Sequence, residues 1–324
     1  MFEHTHFNWY NCYFISKKFD NINKGNFGIV VGKMLEKLLV ELAKQIDCIY
    51  TLSSNNPNWI TKVDSNGFYV ETEKSREKFN NGEQDKPWEY ISFDFIRTGW
   101  NEFIKVRTAN SKDFIKTKGR SSFLMAFFHE LPFVTKTIKE NSIAIQIKEF
   151  TTEDLPSEQF HKVITFLEEV INGIFDPKRL SEQTDSNLYR IKSRARQDLR
   201  LLGFLNDENE KNETLFHEYI NSEDKYEVIK KQMVKHPYNK TVLEVLKLLS
   251  SVDKNEKKAI LVELGKLIVR NSRGENLMVD FVAKERTTNL LNWLKAVGIV
   301  DDEWNLIQQN PENELLNFKD FKQN

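Results

Sequence analysis

Two stretches of the 324-residue chain bring chemically capable side chains together at short spacing. In SNLYRIKSRARQDLRLLGF, Arg190, Lys192, Arg194, Arg196 and Arg200 crowd a run that also holds Ser193 and Gln197. A guanidinium fork pairs with guanine O6 and N7, and a carboxamide pairs with adenine N6 and N7. Such a mixture on one helix can therefore read base edges as well as neutralise phosphates. In DSNGFYVETEK, Asp64 precedes Glu71, Glu73 and Lys74. Two carboxylates on neighbouring strands can hold Mg²⁺ while a lysine assists an attacking water.

The elements that must position the basic residues follow from periodicity. At about 100° per residue, Leu188, Ile191, Ala195, Leu199 and Leu202 form one apolar stripe, and Arg190, Ser193, Arg194, Gln197 and Arg200 lie opposite it. Arg190, Ser193, Arg194 and Gln197 are the expected base readers; Lys192, Arg196 and Arg200 are better placed for phosphate. The acidic run NDENEKNE follows directly, and a solvated basic face balanced by it is the competing reading.

The helix also has an internal counterpart. Residues 193–207, SRARQDLRLLGFLND, align without gaps on residues 288–302, TNLLNWLKAVGIVDD, setting Leu199 on Leu294 and Gly203 on Gly298. A glycine just past the last apolar turn is the usual left-handed helix stop. On the second copy Lys284, Glu285, Thr288, Asn289 and Asn292 are expected to face outward, nearly neutral but rich in amides.

Farther back, Ser92 suits an N-cap for a helix burying Ile96, Trp100, Phe103 and Ile104. A short helix at Ser111, a third at RSSFLMAFFHEL and the hairpin TKTIKENSIAIQIKEF complete a winged-helix order. Ser122, Met125 and His129 should face outward there, although the run looks more like a packing helix than a reading one. Lys116, Lys118 and Arg120 could hold phosphate at the helix start. The same order is expected twice more, with HKVITFLEEVING and DPKRLSEQ before the arginine helix, and with TVLEVLKLLSS and NEKKAILVELGKLI before its counterpart.

Before these units, NWYNCYFIS and DCIYTLS read as strands around the helical IVVGKMLEKLLVELAKQI, and WITKV and GFYVET form a hairpin on an Asn-Gly turn. SREKFNNGEQDKP reads as a linker. The expected fold is α+β and mostly helical: an α/β region with linker over 1–87, then winged-helix units over 88–150, 151–235 and 236–324.

These tandem helices, with their LLGFL and KAVGIV endings, resemble the DNA-recognition regions of type IIS restriction endonucleases over roughly residues 88–310. The resemblance implies sequence-specific binding of double-stranded DNA within a restriction or anti-phage system, with a homodimer, a methyltransferase or a nuclease as further partner. It also implies a nuclease domain beside the recognition region. The 64–74 hairpin departs from the PD-(D/E)XK pattern, since Glu71-Thr72-Glu73 is Glu-x-Glu with the lysine one position late. Glu71 and Glu73 would share a strand face, and Glu36 could add a carboxylate, but a charged hairpin edge accounts for the same residues. Gln146-Ile147-Lys148 has no upstream aspartate and suits a wing. A non-enzymatic transcriptional regulator and a set of protein-interaction modules facing an acidic partner remain alternatives.

Composition excludes several other classes. A formal net charge of −1 gives no global attraction to polyanions, so any electrostatic binding must be local. No apolar run approaches the roughly 20 residues of a membrane helix, and no signal-peptide pattern opens the chain, so a cytoplasmic protein without membrane contact is expected. Cys12 and Cys48 are too few for a disulfide scaffold or a cysteine metal site. His4 and His6 have no zinc-site spacing around them, and KGNFGIVVGK lacks the Gly-Lys-Ser/Thr of a phosphate loop. Mg²⁺ is expected only if the nuclease reading holds.

Overall fold

A computed structural model describes residues 36–271 and 277–307, and the chain divides into two units, Met1–Ile147 and Lys148–Asn324. The class is α+β with helices predominating. The expected first strand, the glycine-rich KGNFGIVVGK, His4, His6 and Cys12 lie outside the described residues.

In the first unit, helix α1 (36–45) buries Leu38, Leu39, Leu42 and Ala43. An antiparallel meander comes next, in the order β1 (Cys48–Tyr50), β2 (Pro57–Val63), β3 (Gly67–Thr72) and β4 (Trp88–Ser92). The expected turn closes β2 onto β3: Asp64 Oδ1 accepts from the N–H groups of Asn66 (2.8 Å) and Gly67 (2.9 Å). Gly67 is needed for proximity, because a Cβ there would lie 2.3 Å from the Ile91 carbonyl oxygen on β4.

Residues 75–87, read as a linker, instead contain most of helix α2 (Glu73–Asn80). A capping box between Thr72 and Ser75 starts this helix, and Ser75 Oγ donates to the Pro87 carbonyl at 2.7 Å. The helix buries only Ser75, so it has no apolar stripe to reveal it. The boundary expected at 87 is also displaced, since β3 and β4 pair from Gly67↔Ser92 to Glu71↔Trp88.

Ser92 caps α3 (Phe93–Val106) by accepting from Phe95 N–H, and the helix buries Phe93, Ile96, Trp100 and Phe103. Then come β5 (Thr108–Asn110), two short 3-10 turns, α4 (Ser121–His129) and the hairpin of β6 (Val134–Lys139) and β7 (Ser142–Ile147). Its turn takes Glu140 and Asn141 into positive φ, and β7 lies between β5 and β6. Gln146 and Ile147 belong to this hairpin.

Helix α4 is a packing helix, as its apolar run suggests, and only its outward face differs from expectation. Phe123 and Phe127 pack on Phe68 of β3, while Phe128 packs on Trp100, Phe103 and Phe114. Met125, expected to face outward, is buried, and Ser122 is the exposed position. A helix covered on both sides cannot enter a groove.

The second unit opens with β8 (Phe150–Thr151), which pairs in parallel with β9 (Val269–Arg270). Between them run α5 (Phe160–Ile171), the 3-10 segment Pro177–Glu182, α6 (Ser186–Leu201), α7 (Glu213–Asn221), α8 (Lys225–Lys235), α9 (Pro237–Leu248) and α10 (Lys254–Ile268); α11 (Asp280–Ala296) comes after β9. The boundary expected at 235 falls at the α8–α9 junction, inside this one unit. Neither α7 nor α8 is announced by the sequence pattern. Their cores, Leu215, Phe216 and Tyr219, and Val228, Ile229 and Met233, are short apolar sets among many charges.

The internal repeat extends to backbone detail. Gly203 and Gly298 both take positive φ, at 75° and 69°. After them, the bridge Leu205↔Lys211 has its counterpart in Val300↔Leu306. Between the bridges, Asn206 N–H donates to Glu210 O as Asp301 N–H donates to Asn305 O, both at 3.0 Å. Asn212 N–H donates to Phe204 O as Ile307 N–H donates to Ile299 O. Asn209 and Trp304, at matching positions, both take positive φ.

Candidate nucleic-acid interface

The two repeated helices grip one piece of chain, the backbone just before α5. Asp198 of α6 is fully buried, and its carboxylate accepts from Ser157 N–H at 2.7 Å and Glu158 N–H at 2.8 Å. The Ser157 hydroxyl lies 3.0 Å from Asp198 Oδ1 and 2.9 Å from the Arg194 carbonyl. From α11, Trp293 Nε1 donates to the Glu158 carbonyl at 3.0 Å and Arg286 Nη1 to the Leu155 carbonyl at 3.1 Å. Asp198 and Trp293 are aligned positions of the repeat, so the two copies hold the same dipeptide with different chemistry. Burial pushes the Asp198 carboxyl from its ordinary 3.8 up to about 7, against the pull of the Ser157 and Glu158 N–H groups and the Arg286 guanidinium.

This arrangement fixes the fate of the expected DNA-binding residues. Arg194 donates to Glu285 of α11 at 2.8 Å. Gln197 donates to the Thr152 carbonyl at 3.2 Å, and Arg196 to the Pro177 carbonyl at 3.1 Å. Lys192 pairs with Glu169 at 2.7 Å and lies 4.0 Å from the Phe175 ring centre. Arg200 donates twice to Asn209 Oδ1, at 3.0 and 2.8 Å, bracing the bridged loop. These five are therefore committed within the unit, where the helical wheel has them facing a ligand. Ser193 is half-buried and Arg190 is exposed.

The apolar stripe is shorter than expected as well. Leu188 and Tyr189 are exposed, and residues 186–190 are exposed without a break. On α11, Asn289 is buried, Lys284 pairs with Asp280 at 2.7 Å, and Thr288 Oγ1 donates to the Lys284 carbonyl. Asn292 and the Lys284 side chain remain exposed.

In the first unit the basic lead-in to α4 is already answered by carboxylates. Glu102 accepts from Lys116 N–H at 2.7 Å and from Thr117 Oγ1 at 2.8 Å, and Arg120 is paired with Glu89. Lys116 and Lys118 are exposed, but a phosphate at that helix start would meet Glu102 and Glu89.

The catalytic candidates do not converge. Asp64 sits in the turn before β3, where its Oδ1 also receives the Tyr90 hydroxyl at 3.2 Å; the turn N–H groups and that hydroxyl hold its carboxyl below the ordinary value. Glu71 stands at the other end of β3, about 13 Å of strand beyond Gly67. It is paired with Arg76 at 2.7 Å. Glu73 and Lys74 belong to α2, so Glu71 and Glu73 do not share a strand face. Glu36 pairs with Arg97 at 2.5 Å. Among the described residues no group of three or more His, Cys, Asp or Glu could hold a metal ion. These side chains do not fit the two-carboxylate Mg²⁺ site, and no hydrolytic step can be derived from them.

No helix among the described residues is long and apolar enough to cross a membrane. No protein-family model, curated protein or solved structure matches the chain.

Proposed function

We propose that the second unit binds double-stranded DNA with sequence preference, through the exposed amino-terminal half of α6 and the outward positions of α11. The observation that carries this reading is the projection of α6. Its first five residues are exposed on every side, including Leu188 and Tyr189, while Ala195, Asp198 and Leu199 farther along are buried. A helix end standing clear of its own core suits insertion into a major groove about 12 Å wide.

Arg190 and Ser193 are the base readers on α6, and Thr288 and Asn292 on α11, with Lys284 toward phosphate. Each copy ends in a long helix followed by a bridged loop; read as winged helices, the two supply two recognition helices in one chain. One copy can then read an asymmetric site. The loops carry Asp207, Glu208, Asp302 and Glu303, so phosphate contact falls to the helices and the wings stay off the backbone. The likeness to type IIS recognition regions makes a restriction or anti-phage system the proposed setting, with a methyltransferase or nuclease as partner.

The test is fluorescence anisotropy on a random duplex pool from low to moderate salt, then selection and sequencing. Arg190→Ala should relax preference at one base position by roughly 5- to 150-fold. Lys284→Ala should weaken all sequences alike and lower the salt slope by about one. Absence of binding even at low salt overturns the reading.

A further inference from the structure

The β2–β3–β4 sheet of the first unit has two faces, and only one is needed for the core. Ile60, Phe68, Val70 and Ile91 point inward and are buried. The alternate positions place Trp59, Tyr69, Trp88 and Tyr90 on the outer face, where a folding requirement alone would be met by threonines or charges. Register assembles them: Tyr69 lies opposite Tyr90, and Glu71 lies between Trp59 and Trp88. Tyr69 meets Trp88 edge-on, with ring centres 4.5 Å apart at 88°, and Tyr90 at 5.1 Å and 60°.

Cations rim this aromatic cluster. The Arg76 guanidinium lies 3.7 Å from the Trp59 ring centre, Lys86 Nζ 4.6 Å from Trp88 and Lys62 Nζ 5.5 Å from Tyr69. Lys62 arrives by an irregularity in the strand. The register shifts between Ile60 and Lys62, so that Lys62 rather than Thr61 pairs with Tyr69. A bulge that adds one residue reverses the facing of the residues after it, and here it turns a lysine outward beside a tyrosine. The acidic groups nearby are engaged, Glu71 by Arg76 and Asp64 by its own turn and the Tyr90 hydroxyl.

We propose that this face is a stacking platform for unpaired bases of single-stranded nucleic acid. Bases supply flat π-surfaces for the rings, and the connecting phosphates supply the charge that Lys62 and Lys86 complement, Arg76 being paired with Glu71. The same cations repel a quaternary ammonium ligand, the other common guest of aromatic clusters. Bases stacked inside a duplex present only their edges, so duplex DNA is the wrong partner for this surface. The site is independent of the duplex-binding reading: it lies in the other unit and uses none of the same residues.

The experiment is anisotropy of fluorescein-labelled 12-mers titrated with the full chain at low salt, in three arms: single-stranded deoxyoligonucleotide, single-stranded ribooligonucleotide and a duplex of the same length. Tight binding in either single-stranded arm is expected, and comparison of the two tells DNA from RNA. Tyr90→Ala, at a ring 43% exposed, should weaken it roughly 5- to 100-fold. The double variant Lys62→Ala, Lys86→Ala should flatten its salt dependence. Arg190→Ala should leave it unchanged, which separates its failure from failure of the duplex reading. No single-strand binding at low salt, or binding that Tyr90→Ala and the lysine variant leave intact, overturns the proposal.

Discussion

Replacing Asp198 with Asn removes one titration while keeping the shape of the side chain. In the folded unit the carboxyl keeps its proton up to about pH 7, whereas the unfolded chain releases it near 3.8. Between those values the folded state binds the extra proton, so stability falls as pH rises, by about 1.4 kcal/mol per unit. Going from pH 5 to pH 8 crosses about two units of that window, a loss of about 3 kcal/mol, with no further change above it. The Asn variant has no such slope. Its amide donor, turned toward the Ser157 and Glu158 N–H groups, adds a penalty of about 1–3 kcal/mol at every pH. Wild type should therefore exceed Asp198→Asn by the larger margin at pH 5, and the margin should shrink by about 3 kcal/mol at pH 8. The assay is urea unfolding of the full chain read by deuterium uptake in peptide 155–160, which reports this unit alone. An equal margin at the two pH values would refute the assignment of a near-neutral proton to Asp198.

Two further substitutions probe the backbone. Gly203→Ala and Gly298→Ala each force a side chain into left-handed φ where little crowds the added Cβ, so both should cost about 1–2 kcal/mol, seen as similar drops in urea midpoint. Unequal effects would mean that the two copies are not mechanically alike. Gly67→Ala drives a methyl into the Ile91 carbonyl and should cost about 1–3 kcal/mol, with loss of the near-ultraviolet circular dichroism band from the Tyr69–Trp88 pair. An unchanged band would show that β3 and β4 yield without losing their register.

Local rules made part of this molecule legible from its residues. Ser92 caps α3, Asp64 to Gly67 turn β2 into β3, and Gly203 and Gly298 end their helices, because each depends on atoms a few residues apart. The gapless alignment was legible for the same reason. What escaped depended on partners from elsewhere in the chain. A helical wheel gives Arg194 and Gln197 a direction, but Glu285 and the Thr152 carbonyl, which meet them, stand 91 and 45 residues away. Nothing near Asp198 in the sequence marks it for burial, and only the fold delivers Ser157 and Glu158 to it. Helix α2 escaped for another reason: its sequence, EKSREKFN, is as polar as a linker, and its start is written in Thr72 and Ser75. The bulge that turns Lys62 outward is not predictable from alternation, which it breaks.

The parallel pair of Phe150–Thr151 with Val269–Arg270 has a consequence in time. Phe150 leaves the ribosome long before Val269 is made, and at about 5–20 residues per second the interval is on the order of ten seconds. Arg286 and Trp293, which hold the Leu155 and Glu158 carbonyls, come later still. The opening segment of the second unit therefore waits through most of its own synthesis held only by contacts from α6 to α9, among them Asp198 to Ser157, Gln197 to Thr152 and Tyr238 to Phe150. A nascent chain stalled before Val269 carries that segment without its strand partner and without the Arg286 and Trp293 donors.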